Sequence, residues 1–180
     1  MTTKKEKELK DSFLRRNQLA ETGIPAAVRR NKLYADNVSS QKKNEIVNYW
    51  REQLEELAKK YSKEQTRDTF VQDVRNLMHK MNANFKGSFA SSGFRFSHAQ
   101  KSLSVLLKYR WCEGIIERLP ICPIDRNVLG KMTTPYKYWS WTKLSDDNYL
   151  RVYTELERMA KEKKCSVAQM ELEWFEDIHK

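Results

Sequence analysis

The sequence predicts an all-α protein, on three observations. Serine followed three residues later by glutamine recurs at Ser62/Gln65, Ser97/Gln100 and Ser166/Gln169, the pattern of a helix-opening capping box. Around each box, apolar side chains return at spacings of three and four, the period of a helix with one buried face. No stretch sustains the period-two alternation of a half-buried strand, and no internal repeat, phosphate-binding loop or dinucleotide fingerprint is present.

Taken in order, residues 4–20 read as a charged first helix anchored by Phe13, Leu14 and Leu19 and stopped by Gly23 and Pro25. The segment 26–34 reads as a short helix or connector, its Arg29-Arg30-x-Lys32 cluster a candidate backbone contact or a solvated pair. Residues 41–60 form a helix through Ile46, Val47, Trp50, Leu54 and Leu57, with Trp50 in the core and Glu55 paired to Lys59. Ser62 opens the next helix, carrying Phe70, Val74, Leu77, Met78 and Met81, with His79 beside the stripe as a packed or surface residue. Residues 82–96 change to small polar residues with Phe85, Phe89, Phe94 and Phe96, a loop whose rings anchor it. Ser97 then opens a helix buried along Ala99, Leu103, Leu106, Leu107 and Arg110. A short helix follows Asp125 to about Lys131. The aromatic run Tyr136-Lys137-Tyr138-Trp139-Ser140-Trp141-Thr142-Lys143 comes next, to stack on bases, buttress Asp125 or form a satellite core beneath a loop. Helices at 145–163, capped by Ser145, and at 167–179 close the chain.

At 180 residues the chain is expected to be a single domain with a real core. Its apolar runs are too short to cross a bilayer, and the start Met-Thr-Thr-Lys-Lys-Glu-Lys has no signal-peptide core, so a cytoplasmic monomer is expected. Cys112, Cys122 and Cys165 are odd in number and widely spaced, which argues against a disulfide framework and against a zinc or four-cysteine iron–sulfur site. No metal and no organic cofactor is expected. The net charge is +10, concentrated in residues 85–143, where ten Lys or Arg face three Asp or Glu. Residues 144–180 reverse the balance, six basic against nine acidic. A positive middle beside an acidic support suits a phosphate-facing surface; an ordinary lysine-rich surface is the plain alternative.

Two residues are candidates for chemistry. Lys101 lies in the first turns of the Ser97 helix, on the stripe of Val105, Lys108 and Cys112 and turned largely away from the buried face. Asp125 follows Pro123-Ile124 at the start of the next helix, where amides and dipole favour a carboxylate. Alone, each has an ordinary reading, as a solvated lysine and an N-cap.

Together, the glycine turn at Gly93, the segment Ser-His-Ala-Gln-Lys101-Ser-Leu and Pro123-Ile124-Asp125 resemble the helix-hairpin-helix DNA glycosylases over residues 80–130. The likeness is closest to the archaeal 8-oxoguanine DNA glycosylase branch and to the phage-defence glycosylase acting on glucosylated hydroxymethylcytosine. The resemblance implies a base-excising enzyme acting on double-stranded DNA, with Lys101 as nucleophile and Asp125 as catalytic carboxylate. One departure is clear: the usual Leu-Pro-Gly-Val-Gly-like turn is replaced here by Ser-Ser-Gly-Phe-Arg-Phe-Ser-His, with a single glycine. Arg95 and His98 would then take over part of the phosphate contact, with Ser97, Gln100, Lys108 and Arg126 as further DNA-binding candidates. Asn82, Asn84, Phe85 and Trp139 are candidates for the pocket of an extruded base, which is read by hydrogen bonds and stacking.

Breaking an N-glycosidic bond leaves positive charge on the sugar, which a carboxylate beside C1′ stabilises. If the lysine attacks C1′, a Schiff base and strand nicking by β-elimination follow; if it only positions the sugar, Asp125 directs water and the abasic strand stays intact. The rival reading is a non-catalytic DNA-binding module. A weaker one is an interaction protein whose charge serves solubility.

Overall fold

The computed structural model describes residues 3–17, 23–28 and 32–178. Over these the protein is all-α: α1 Lys4–Arg16, α2 Gly23–Val28, α3 Ser40–Lys60, α4 Arg67–Asn84, α5 Phe96–Cys112, α6 Arg126–Gly130, α7 Asp146–Glu162 and α8 Val167–Ile178, with 3-10 turns at Tyr136–Tyr138 and Trp141–Lys143. The described residues form no strand; their extended pairing is an isolated antiparallel bridge between Tyr34 and Phe89.

α5 is the axis. It packs against α1, α2, α3 and α4, and fourteen of its seventeen residues are buried. The sequence pattern expects a one-sided helix here. Instead Ala99, Leu103 and Leu107 are sealed on one side, while Ser97, Gln100, Lys101, Ser104 and Lys108 are buried on the others. A helix covered all round needs every polar side chain matched, since an unpaired buried group costs about 1–3 kcal/mol. Trp50 of α3, fully buried as expected, supplies one match, its indole Nε1–H donating to Ser102 Oγ at 3.1 Å.

α2 lies unusually close to α5. A methyl group added at Gly23 would sit 1.9 Å from the Ser102 carbonyl oxygen, so only a glycine lets the two backbones meet there. Gly23 and Pro25 therefore begin α2, where proline fits the first turn. The first helix ends earlier than expected, at Arg16, with Asn17 as its C-cap. Leu19, Arg29 and Arg30 lie outside the described residues.

The connection between α4 and α5 is held by its own side chains. Asn82 donates to the carbonyls of Met78 and Phe94 and accepts from the Phe94 amide at 2.9 Å, clasping a turn in which Gly93 takes φ +66°. Phe85, Phe89, Phe94 and Phe96 are all buried, as an anchored loop requires. Their rings run from Tyr49 through Phe85, Phe89 and Phe94 to Trp50, with centroid separations between 4.8 and 6.5 Å.

Several local expectations give way to competing contacts. Ser62 does not open α4; its hydroxyl donates to the Lys59 carbonyl, and Thr66 caps α4 by accepting from the Thr69 amide. Lys59 turns to Glu56, leaving Glu55 to Arg110 of α5. Ser145 and Ser166 do cap the following helices, each accepting an amide three residues on, and Ser39, which the sequence reading passes over, caps α3 in the same way. His79 is exposed.

Gly23→Ala should lower unfolding free energy by about 1–3 kcal/mol, the usual cost of overpacking, seen as a lower denaturant midpoint at unchanged slope. Gly130→Ala, whose new methyl meets no atom within 4 Å, should leave the midpoint level or raise it. Equal midpoints for the two variants would contradict the close approach.

Candidate active site

The expected pair meets. Lys101 Nζ lies 2.8 Å from Asp125 Oδ2, bringing together residues from α5 and the start of α6. The other carboxylate oxygen, Oδ1, accepts from the amides of Asn127 at 2.9 Å and Val128 at 3.0 Å. Asp125 is thus both helix cap and lysine partner, one oxygen to each task. Burial by itself would raise its carboxyl, but the Lys101 ammonium and the two amides outweigh that and hold it below its ordinary value. The aspartate keeps 28% of its side chain exposed and the lysine 9%, so the pair is reached from the aspartate side.

The convergence has a mechanical cause. Gln100, immediately before Lys101, donates through Nε2 to the carbonyl of Ile124, immediately before Asp125. That bond is fully buried, and Ile121, Cys122 and Ile124 are at 0% exposure. The segment is threaded through the core and leaves it at Asp125. At its entry, the Tyr153 hydroxyl donates to the Pro120 carbonyl at 2.7 Å. Sequence reasoning treats Gln100 as a cap partner and a DNA contact; its position beside both residues of the pair is what gives it its actual role.

Four of the expected DNA contacts are therefore corrected. Ser97, His98 and Gln100 are at 0% exposure and Lys108 at 3%, leaving no atom to meet a phosphate. Ser97 does not cap α5 either; its hydroxyl donates to the Thr142 carbonyl at 2.9 Å, tying the second 3-10 turn to the helix. The N-cap is Arg95, whose amide donates to His98 Nδ1 at 3.0 Å. Lys108 bridges to Glu171 of α8, 2.8 Å to Oε1 and 2.6 Å to Oε2, with its ammonium between the rings of Phe13 and Phe175. Of the expected contacts, Arg95 stays half-exposed and Arg126 exposed.

The candidate pocket residues divide. Asn82 is consumed by the Phe94 clasp, Asn84 donates to the Tyr49 hydroxyl and the Lys80 carbonyl, and Phe85 belongs to the core. None of the three is hydrogen-bonded to Lys101 or Asp125. Trp139 is half-buried, edge-on to Tyr136, on the 3-10 segment that packs against α6. A shallow depression of about 300 Å³ lies elsewhere, between α3 and α4, lined by residues including Gln53, Leu57, Asp73 and His79. Asp73 is taken there by Lys60 and Tyr61.

No group of three or more His, Cys, Asp or Glu among the described residues is arranged to hold a metal ion. No described helix is long and apolar enough to cross a membrane. Comparisons with protein-family models, with curated proteins and with solved structures return no match.

Chemically, the pair offers an amine with a carboxylate acceptor at hydrogen-bond distance. A nucleophilic amine must shed a proton, and Asp125 is placed to take it.

Burial, with the Arg95 charge adding to it, drives His98 down to about 3 from an ordinary 6.5. The unfolded chain therefore binds a proton that the folded chain refuses. Stability should fall as pH drops from 6.5 toward 3, by at most about 1.4 kcal/mol per pH unit from this group. His98→Gln should flatten that slope in urea titrations at successive pH values, and an unaltered slope would contradict the buried neutral imidazole. Lys108→Met should cost about 3–5 kcal/mol by stranding Glu171. The double variant Lys108→Met/Glu171→Leu should recover much of that loss in a double-mutant cycle, and strictly additive losses would contradict the pairing.

Proposed function

We propose that the protein is a DNA glycosylase that removes a modified or damaged base from double-stranded DNA. The observation that carries the reading is the 2.8 Å contact between Lys101 Nζ and Asp125 Oδ2, on a carboxylate that remains open to solvent. Support also comes from the resemblance around Lys101 and Pro123-Ile124-Asp125, and from the basic balance of the central segment.

In this reading the target nucleotide is extruded so that C1′ lies against the pair. The base leaves with the electrons of the N-glycosidic bond, and the carboxylate of Asp125 faces the cationic sugar. Lys101 attacks C1′ and passes its proton to Asp125. The resulting aminal opens to a Schiff base as Asp125 returns the proton to the ring oxygen, and loss of a C2′ proton to that carboxylate expels the 3′ phosphate by β-elimination. In the simpler course Lys101 holds the sugar, water attacks C1′ and gives its proton to Asp125, and an intact abasic strand results. The protein's own side chains supply each of these steps, and it works as a monomer in the cytoplasm. The base is glucosylated hydroxymethylcytosine in phage DNA, a defence role, or 8-oxoguanine, a repair role.

Asp125→Asn should bind DNA within a few-fold of wild type and release base at least about a hundredfold more slowly, the scale of losing a charge-stabilising group. The measurement is abasic-site formation on normal, oxidised and phage-modified DNA; undiminished release would refute the assignment. Borohydride should trap a covalent wild-type adduct that is absent in Lys101→Gln. Excision without any trapped adduct would assign the lysine to positioning.

The second reading, a non-catalytic DNA-binding module, is favoured by the unneutralised cations beside Asp125 described below. It requires steeply salt-dependent binding and no released base on any of the three DNAs.

A further inference from the structure

From Arg126 to Ser145 the chain contains Arg126, Lys131, Lys137 and Lys143 and no Asp or Glu. All four cations are exposed, and none is in an ion pair among the described residues. Elsewhere some cations are paired and others, among them Lys63, Lys86 and Arg151, are exposed and in no ion pair among the described residues; here four such cations share one stretch without an acid. Lys32 pairs with Asp36, Lys42 with Glu45, Lys59 with Glu56 and Arg118 with Glu64, while Arg158 bridges Glu155 and Glu162. Positive charge left unneutralised along one continuous segment attracts a polyanion.

The same segment presents an aromatic ring that the core does not use. Trp141 is buried and Tyr136 and Trp139 are half-buried, edge-on to each other with centroids 5.1 Å apart. These three anchor the segment. Tyr138 is 76% exposed, with Lys137 Nζ 4.9 Å from its ring centre. A large apolar ring held out in water among lysines suits stacking on a base whose phosphates the lysines hold.

Both ends of the segment are fastened beside the lysine–aspartate pair. Arg126 follows Asp125 directly, and the turn Tyr136–Tyr138 packs on α6. At the far end, Thr142 accepts from Ser97, about one helical turn before Lys101. The segment is therefore tied to the two elements that carry the pair, α6 and the start of α5.

We infer that residues 126–143 are a DNA grip, in which Arg126, Lys131, Lys137 and Lys143 engage phosphates and Tyr138 enters the base stack at the unpaired position. The choice of DNA over another polyanion rests on the glycosylase reading. Entry of the ring requires a duplex opened at the extruded nucleotide, since an intact stack offers a ring no face.

The test uses the full chain and a short duplex carrying a tetrahydrofuran abasic analogue, which has no base to release and forms no Schiff base, beside a 2-aminopurine. Wild-type protein should bind this duplex and quench the 2-aminopurine. Tyr138→Ala should bind about tenfold more weakly and lose the quench, while Tyr138→Phe keeps both. Lys131→Ala and Lys137→Ala should each lower the slope of log affinity against log salt by about 0.9, the value of one phosphate contact, and keep the quench. Unchanged affinity and quench in Tyr138→Ala would overturn the inference. So would heparin displacing the duplex equally well from wild type and Tyr138→Ala, which would mark a general polyanion surface. If the grip variants behave as stated while wild type releases no base from any DNA, the inference stands and the glycosylase reading fails.

Discussion

The protein is built around a helix with no dry-side and wet-side distinction. α5 is enclosed along nearly its whole length, and that enclosure dictates what the other elements must bring to it. Seven of its buried residues are polar or charged, and each makes at least one hydrogen bond, to another part of the chain or along the helix itself, although His98 Nε2 and Gln100 Oε1 are buried without a partner among the described residues. Trp50 meets Ser102, Ile124 meets Gln100, Asp125 meets Lys101, Glu171 meets Lys108 and Thr142 meets Ser97. These matches fix where α3, the 121–125 segment, α8 and the second 3-10 turn can sit. Apolar packing holds the helix in place; the polar matches select one arrangement of its neighbours. A single misplaced neighbour leaves a donor or a charge buried without a partner, which costs more than a lost apolar contact of the same size.

The lysine–aspartate pair is one outcome of that selection. Gln100 and Lys101 are adjacent, Ile124 and Asp125 are adjacent, and one buried hydrogen bond aligns both couples. The amine comes from the middle of the core and the acid from its edge, so one partner is rigid and the other accessible. That asymmetry suits a site in which a fixed group awaits a substrate arriving over an exposed one.

Much of the fold was legible because helix signals are local. The serines before α7 and α8 and the apolar spacing after them lie within a turn or two of the structure they cause. The meeting of Lys101 and Asp125 was legible only through the company each keeps in the sequence, since nothing in spacing alone brings residues 24 apart together. What escaped was burial on the polar side of α5. Ser97, Gln100, Lys101 and Lys108 give that helix an amphipathic appearance, and only Glu171, 63 residues from Lys108, explains how a lysine stays inside. Ser62 and Thr66 posed a similar difficulty on a smaller scale. Both are cap residues by chemistry, and the choice fell to Thr66 because the Ser62 hydroxyl was taken by the preceding helix.

The Lys108–Glu171 bridge has a consequence for how the chain reaches its native state. Its ammonium lies between Phe13 of the first helix and Phe175 of the last, so the middle of the molecule is completed by its two extremities. On a ribosome, α5 emerges well before α8 exists, and until then its second lysine has no counter-charge and must stay hydrated. Completion of the interior therefore waits on contacts of long sequence separation, which are slow to form because loop closure precedes their reward.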